Sequence, residues 1–388
     1  MTDLKPTLGL TDHMLFGVSS ILGSGGFNLV GKAVRAGGGA WPALLALVTA
    51  LFGGASWSYT RALQVEGSNT SETDVIERVF GRGIAGVAGV GILVFNIFSI
   101  AVILVFVAQL MFPAAAWLTQ VGVATIFLAI MTAASLWGID VNKEIINWTT
   151  WALLVVLTAG LGLGGWGALT RGLPGGVLPT GHSAVKSLMH FFFIMAGFDA
   201  LMKFVRESVD AQRDLPIAFF GSNGLSALLV LGVAAALAVW VPGLTAAQED
   251  NAMGHLFANF LGPGAVGGMR VAMILFMLIT TFVVFLATTR YLFGIGEKEE
   301  GLRFLTEVND AQTPWRSVAV VTLVSFVGLL LNNTDVLVRI SNAGLVVIMG
   351  LVSAAVAAYD GGKGSVGSAT VSAATAAGLG GILGVTFL

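Results

Sequence analysis

Apolar runs about as long as a bilayer is thick alternate with short polar gaps along nearly the whole chain. At roughly 20 apolar residues per crossing, the pattern predicts eleven helices, near 13–36, 40–63, 83–112, 117–138, 145–168, 184–206, 214–241, 266–296, 315–332, 335–358 and 368–388. Two of these runs are interrupted. Gly23-Ser24-Gly25-Gly26 is poor helix interior, because glycine loses the most backbone entropy on ordering and serine competes for backbone hydrogen bonds. A helix is expected to break there, leaving N–H and C=O groups that hydrocarbon cannot satisfy unless they line a cavity and something binds them. The other reading is a close helix crossing of the small-residue kind. The sixth run carries Ala196-Gly197-Phe198-Asp199 at its middle and predicts a second break. Taken singly, Gly197 is equally a packing glycine and Asp199 a helix cap or one member of an inward-facing pair. The first and sixth runs occupy matching places in two five-helix halves, 13–168 and 184–358. An odd number of spans per half turns the second upside down, the arrangement in which a transporter site forms where broken helices meet.

Composition places the chain in the same class. With 56% hydrophobic and 10% charged residues and a mean hydropathy of +0.90, it reads as an all-α polytopic membrane protein. The net charge of -2 is scattered through short gaps, which excludes a nucleic-acid partner, and the absence of cysteine excludes disulfides and thiolate metal sites. The first run has no basic stretch beyond Lys5 and no cleavage pattern, so it is expected to be a retained span. With the N-terminus inside, only Lys32, Arg35, Arg171, Lys186, Arg270 and Arg339 of the 19 Lys and Arg residues fall outside. The remaining 13 set that orientation by the positive-inside rule and place the C-terminus outside.

These stretches carry a family resemblance. Gly23-Ser24-Gly25-Gly26-Phe27, followed by Gly37-Gly38-Gly39-Ala40-Trp41-Pro42, resembles the first broken helix of the amino acid–polyamine–organocation (APC) superfamily permeases. Phe193-Ile-Met-Ala-Gly197-Phe198-Asp199, then Glu207, then Gln212-Arg213-Asp214-Leu215-Pro216 is similar to their sixth-helix signature in the same spacing. Thr288-Thr289-Arg290 and Thr313-Pro314 extend the similarity, which covers about residues 10–358. There are departures: eleven spans where the family usually has twelve or more, Gly26 in place of an isoleucine, Met195 where an aromatic is common, and no lysine in the fifth span, a residue several proton-coupled members use.

The resemblance implies a secondary transporter of amino acids or related amines that works by alternating access and is not an enzyme. It further implies that the N–H groups of Ser24, Gly25 and Gly26 hold a carboxylate, where the dipole of the following half-helix favours an anion. The carbonyls of Ile21, Phe193, Ile194 and Ala196 then receive the ammonium, Gly197 allows the close approach, and Phe193 either covers the solute or is a plain core aromatic. Asn96 and Gln109 either line the side-chain pocket or serve as interhelical glue. His190 is read as a titrating group or a satisfied donor, Arg339 as pairing with Asp335 or reaching outward. Arg206, Glu207, Arg213 and Asp214 form a gating network or a solvated loop. No cofactor is expected beyond a coupling ion, Na+ or H+. A sodium shell is expected from the carbonyls of Ser19 and Leu22 with the hydroxyls of Thr280 and Thr281, unless both threonines bond back to their own helix. Two other classes stay open: an inorganic-ion carrier of the cation–chloride type on the same fold, and a non-transporting accessory or sensor protein.

Overall fold

The computed structural model describes residues 6–25, 29–67, 72–173, 178–246 and 248–386, with the side chains of Ser24, Gly25, Val385 and Thr386 outside the description. The described residues are mostly helical: α1 (Leu10–Gly25), α2 (Leu29–Gly37), α3 (Trp41–Glu66), α4 (Glu72–Phe80), α5 (Arg82–Met111), α6 (Trp117–Ser135), α7 (Ile139–Arg171), α8 (Gly181–Met195), a 3-10 segment Phe198–Glu207, α9 (Ala211–Trp240), α10 (Ala252–Leu261), α11 (Gly264–Lys298), α12 (Trp315–Leu329), α13 (Thr334–Gly362) and α14 (Val366–Thr386). Among the described residues, nine helices are long and apolar enough to cross a membrane, and α12 is a shorter apolar one. This is a polytopic all-α membrane protein. The predicted runs and the observed helices coincide closely. Two short helices, α4 and α10, occupy stretches that the hydropathy pattern left as gaps.

A membrane bundle has no water to drive its helices together, so close packing depends on small side chains. At the crossing of α7 and α9, a side chain on Gly164 would run into the Gly232 carbonyl, and one on Gly232 would stand 2.5 Å from Leu161 Cα. Large apolar groups face outward, among them Trp148, Trp151, Val155 and Leu169 on α7. That is the surface lipid covers, with tryptophans where interfacial rings are favoured. The last helix packs on α3 and α13 rather than standing apart. Arg61 of α3 meets Asp360 of α13 at 2.7 Å, and Ser58 donates to Ser372 of α14 at 3.1 Å.

At the centre, Phe198 is wrapped edge-on by Phe52 (5.9 Å between centroids), Tyr59 (5.1 Å) and Phe219 (5.9 Å). Such contacts prefer these edge-to-face geometries and stabilise by about 0.5–1.5 kcal/mol each. They fix the start of the 3-10 segment against α3 and α9, and thereby position the site described next.

The small-residue crossing predicts that Gly164→Val destabilises the detergent-solubilised protein by about 1–3 kcal/mol or more, the usual cost of overpacking. Gly162→Val, at a position with open space around it, is expected to leave the melting temperature unchanged. Equal melting of the two variants would contradict close α7–α9 packing.

Candidate functional site

α8 stops at Met195. Ala196 turns extended (φ -69°, ψ 150°) and Gly197 takes φ +120°, a backbone conformation that residues with a side chain rarely adopt. The chain then tightens into the 3-10 segment, whose first turn has no side-chain cap. A Cβ at Gly197 would lie 2.5 Å from the Ser20 carbonyl oxygen and 3.3 Å from Ile21 N. The break in the sixth span therefore rests directly on the backbone of α1. Ser20 Oγ reinforces this contact, sharing its proton between Gly197 O at 2.9 Å and Gly17 O at 3.1 Å.

The structure brings several of the predicted residues to this junction. Ile21, Phe193, Ile194, Ala196 and Gly197 are all buried there. Of the carbonyls expected to receive an ammonium, that of Phe193 accepts Ala196 N at 3.2 Å. The last carbonyls of α8 have no intrahelical donor, as at any helix end. α1 remains helical through Gly25, so its break does not begin at Gly23, and Gly26 lies outside the described residues. Ser24 and Gly25 form the last turn of α1. Gly23 has a packing reason of its own, since a side chain there would collide with the Thr280 hydroxyl of α11.

Of the residues expected to hold sodium, Thr280 and Ser19 are hydrogen-bonded to each other. Thr280 Oγ1 donates to Ser19 O at 2.6 Å, and Leu22 is buried one turn on. Thr281 instead donates to Met277 O at 2.8 Å, within its own helix. Asn96 is buried on α5 with its amide nitrogen unpartnered among the described residues. Gln109 faces a separate cavity of about 360 Å³ shared with Gln120, His255 and Arg270, away from the junction.

The two ends of the bundle differ. At one, a cavity of about 350 Å³ opens between α2, α5, α8 and α13, lined by Leu29, Lys32, Phe106, Met189, His190 and Arg339 among others. Lys32 and Arg35 at its rim are paired with Asp250 (2.8 Å) and Glu249 (2.5 Å). Arg339 lines the wall together with Asp335, and the two form no ion pair. His190 Nδ1 is buried and unpartnered among the described residues.

The other end is tied shut. Arg290 of α11 grips Glu207 through Nε (3.3 and 3.2 Å) and Nη2 (3.1 Å), with both side chains almost fully buried. The Glu207 carbonyl accepts the amides of Thr7 and Leu8 at 2.9 and 2.8 Å, and Val209 N donates to Leu8 O at 2.9 Å, so the N-terminal segment straps the end of the 3-10 segment. Arg206 pairs with Glu297. Arg206 and Glu207 are thus tied in ion pairs rather than lying in a solvated loop. Among the described residues Arg213 takes no part, and its amide donates to Asp210 Oδ1 at 3.3 Å.

Just inside this seal lies a cluster that sequence reasoning missed. Lys203 Nζ bonds Asp199 Oδ2 at 2.6 Å and Glu72 Oε1 of α4 at 2.8 Å, all three side chains being at most 1% exposed. Of the two structural roles expected for Asp199, the structure shows the inward-facing pair and not the cap. A signal was present: a lysine four residues after an aspartate inside an apolar run needs a buried partner. Glu72, in a polar gap, gave none. Lys203 and Arg290 were both counted among the 13 inside charges, and their burial reduces that tally to 11.

A family profile described as amino acid permease matches residues 8–359. None of the curated proteins compared with the chain matches it significantly.

Removing one partner of a buried ion pair strands the other charge at about 3–5 kcal/mol. Arg290→Met is therefore expected to lower detergent stability by that order, and Arg290→Met with Glu207→Gln to recover much of the loss. A double variant as unstable as the sum of the singles would show that the pair does not interact.

Proposed function

Because the chain belongs to the amino acid permease family, we propose that it carries an amino acid or related amine across the membrane by alternating access around the junction of α1 with Gly197. The observation that carries this reading is the direct backbone contact of Gly197 with Ser20 and Ile21, beside a cavity at one end and a seal at the other. An amino acid presents a carboxylate and an ammonium a few ångströms apart. In this reading the N–H groups of Ser24, Gly25 and Gly26 take the first once the last turn of α1 opens, and the carbonyls of Ile21, Phe193, Ile194 and Ala196 take the second. Met189 and Phe193 lie on the side by which the solute enters, and Asn96 contributes its unpartnered amide to the side-chain end of the pocket.

The cavity end faces outward and the sealed end, with the N-terminus, faces the cytoplasm; the 11-to-6 charge bias supports this orientation. The halves 13–168 and 184–358 act as inverted repeats. Supporting this is the parallel placement of the two short helices, α4 after the second span and α10 after the seventh. Transport needs no covalent chemistry, only a change in which end of the junction is open. Breaking the Arg290–Glu207 pair and releasing the strap at Leu8 would open the inner end.

The test is counterflow in proteoliposomes. Vesicles preloaded with one unlabelled amino acid are expected to take up its radiolabelled form, for at least one member of a panel. Gly197→Ala, which both forces φ +120° on an L side chain and drives a Cβ into Ser20 O, is expected to abolish that uptake. The variant protein is expected to remain monodisperse in detergent. Full uptake by Gly197→Ala, or chloride flux without amino acid counterflow, would overturn the proposal.

A further inference from the structure

The Glu72–Lys203–Asp199 cluster is not needed to bind a solute at the junction, and its chemistry is unbalanced. Lys203 Nζ has three protons, and three acceptors meet it: Glu72 Oε1 at 2.8 Å, Asp199 Oδ2 at 2.6 Å and Asp199 O at 3.2 Å. The ammonium is fully used. Among the described residues the other carboxylate oxygens, Glu72 Oε2 and Asp199 Oδ1, are buried without a partner, and so is the hydroxyl of Tyr59, which lies within electrostatic reach of both. Two carboxylates against one ammonium leave one negative charge in excess. Such a charge on side chains at most 1% exposed is costly, and a carboxyl there takes up a proton instead.

Among the described residues the neighbours offer no cation to cancel it. From α3, Tyr59 faces the cluster and Arg61 is held by Asp360 of α13. From α11, Tyr291 is near Glu72 but bonded to Thr73, Arg290 is held by Glu207, and Lys298 by Asp74 of α4. On α4 and α5, Arg78 pairs with Glu66 and Arg82 with Glu299. Arg206 pairs with Glu297, and Arg213 at the start of α9 is exposed. Burial pushes the Glu72 carboxyl above its ordinary range, against the pull of the Lys203 ammonium.

We propose that Glu72 and Asp199 share one exchangeable proton beside Lys203, and that this proton is the ion coupled to transport. This rests on the transport reading above. A proton from the outer side adds to a free carboxylate oxygen, Glu72 Oε2 or Asp199 Oδ1, and no other bond is made or broken. Lys203 is then held by one negative charge instead of two. That loosens the tie between α4 and the 3-10 segment, the part of the sixth span that must move for the inner end to open. The proton leaves to the inner side with the solute, and the restored charge pulls the segment back.

Two measurements on the full-length protein in lipid vesicles test this. Infrared spectroscopy at neutral pH is expected to show the carbonyl stretch of a protonated carboxyl that titrates away as pH rises and is lost in Glu72→Gln. Asp199→Asn serves as the second variant if the first does not insert. An inward proton gradient of one pH unit is expected to drive accumulation up to about tenfold for the amino acid giving the strongest counterflow, since one pH unit is a tenfold ratio of proton activity. Glu72→Gln is expected to lose that accumulation. The absence of a titrating carboxyl band in the wild-type protein overturns the proposal. So does accumulation driven by a sodium gradient and indifferent to pH, while counterflow proceeds, an outcome that leaves the transport reading standing. If no amino acid shows counterflow, the transport reading fails, and the infrared titration alone decides whether the proton is there.

Discussion

A single backbone contact organises the molecule. Gly197 lies so close to the Ser20 carbonyl that no other amino acid fits, and it holds a φ of +120° that few others would accept. With a side chain excluded there, the sixth span can stop, turn and restart while pressed against the first. The polar groups freed by the turn then face another helix rather than lipid, which is the only place a membrane interior tolerates them. The aromatic cage of Phe52, Tyr59 and Phe219 around Phe198 fixes the restart. The Ser20 hydroxyl ties the two backbones together at the turn.

From that junction the structure grows unequal in its two directions. Toward α2 and α13 the helices part around a cavity whose rim pairs are at or near the surface, where ion pairs are worth about 0–1 kcal/mol each. Toward the N-terminal strap the Arg290–Glu207 pair and the Lys203 pairs are buried, and a buried pair resists removal of either partner far more strongly. Opening the first end costs little and opening the second costs more, so a ligand or proton that weakens the buried ties has leverage. Lys203 is the obvious point of leverage, because its one positive charge is shared by two carboxylates on different elements.

Much of this was legible in the sequence, for identifiable reasons. Runs of hydrophobicity fix crossings because hydrocarbon admits little else, and the helices follow the predicted runs. Gly197 was legible because its place in the sixth run matches that of the glycine-rich interruption in the first, although taken singly it had a bland explanation as a packing glycine. The first break was harder. Glycine and serine lower helix propensity without forbidding a helix, and α1 continues through Gly25, with Gly23 serving to admit Thr280. Glu72 was not legible, since a carboxylate in a polar gap looks solvated until the fold packs the gap into the interior. α4 and α10 escaped for the same reason: both are too short and too mixed in character to stand out from the gaps around them. For Asp199 both a cap and an inward-facing pair were legible, but not its partner, because the lysine one turn later was counted as a loop charge.

The claim on which everything else rests is that access to the Gly197 junction alternates between two ends. The native chain has no cysteine, so single cysteines report access without background. The direct measurement is labelling of Met189→Cys, on the cavity side, and Ala200→Cys, on the sealed side, by a membrane-impermeant thiol reagent applied from each side of the vesicle in turn. The account predicts that the resting protein reacts at position 189 from the cavity side and is protected at 200. An inwardly directed gradient of transported amino acid should lower the first rate and raise the second together. Reaction at the two positions that does not change with solute, or that rises at both at once, would contradict it.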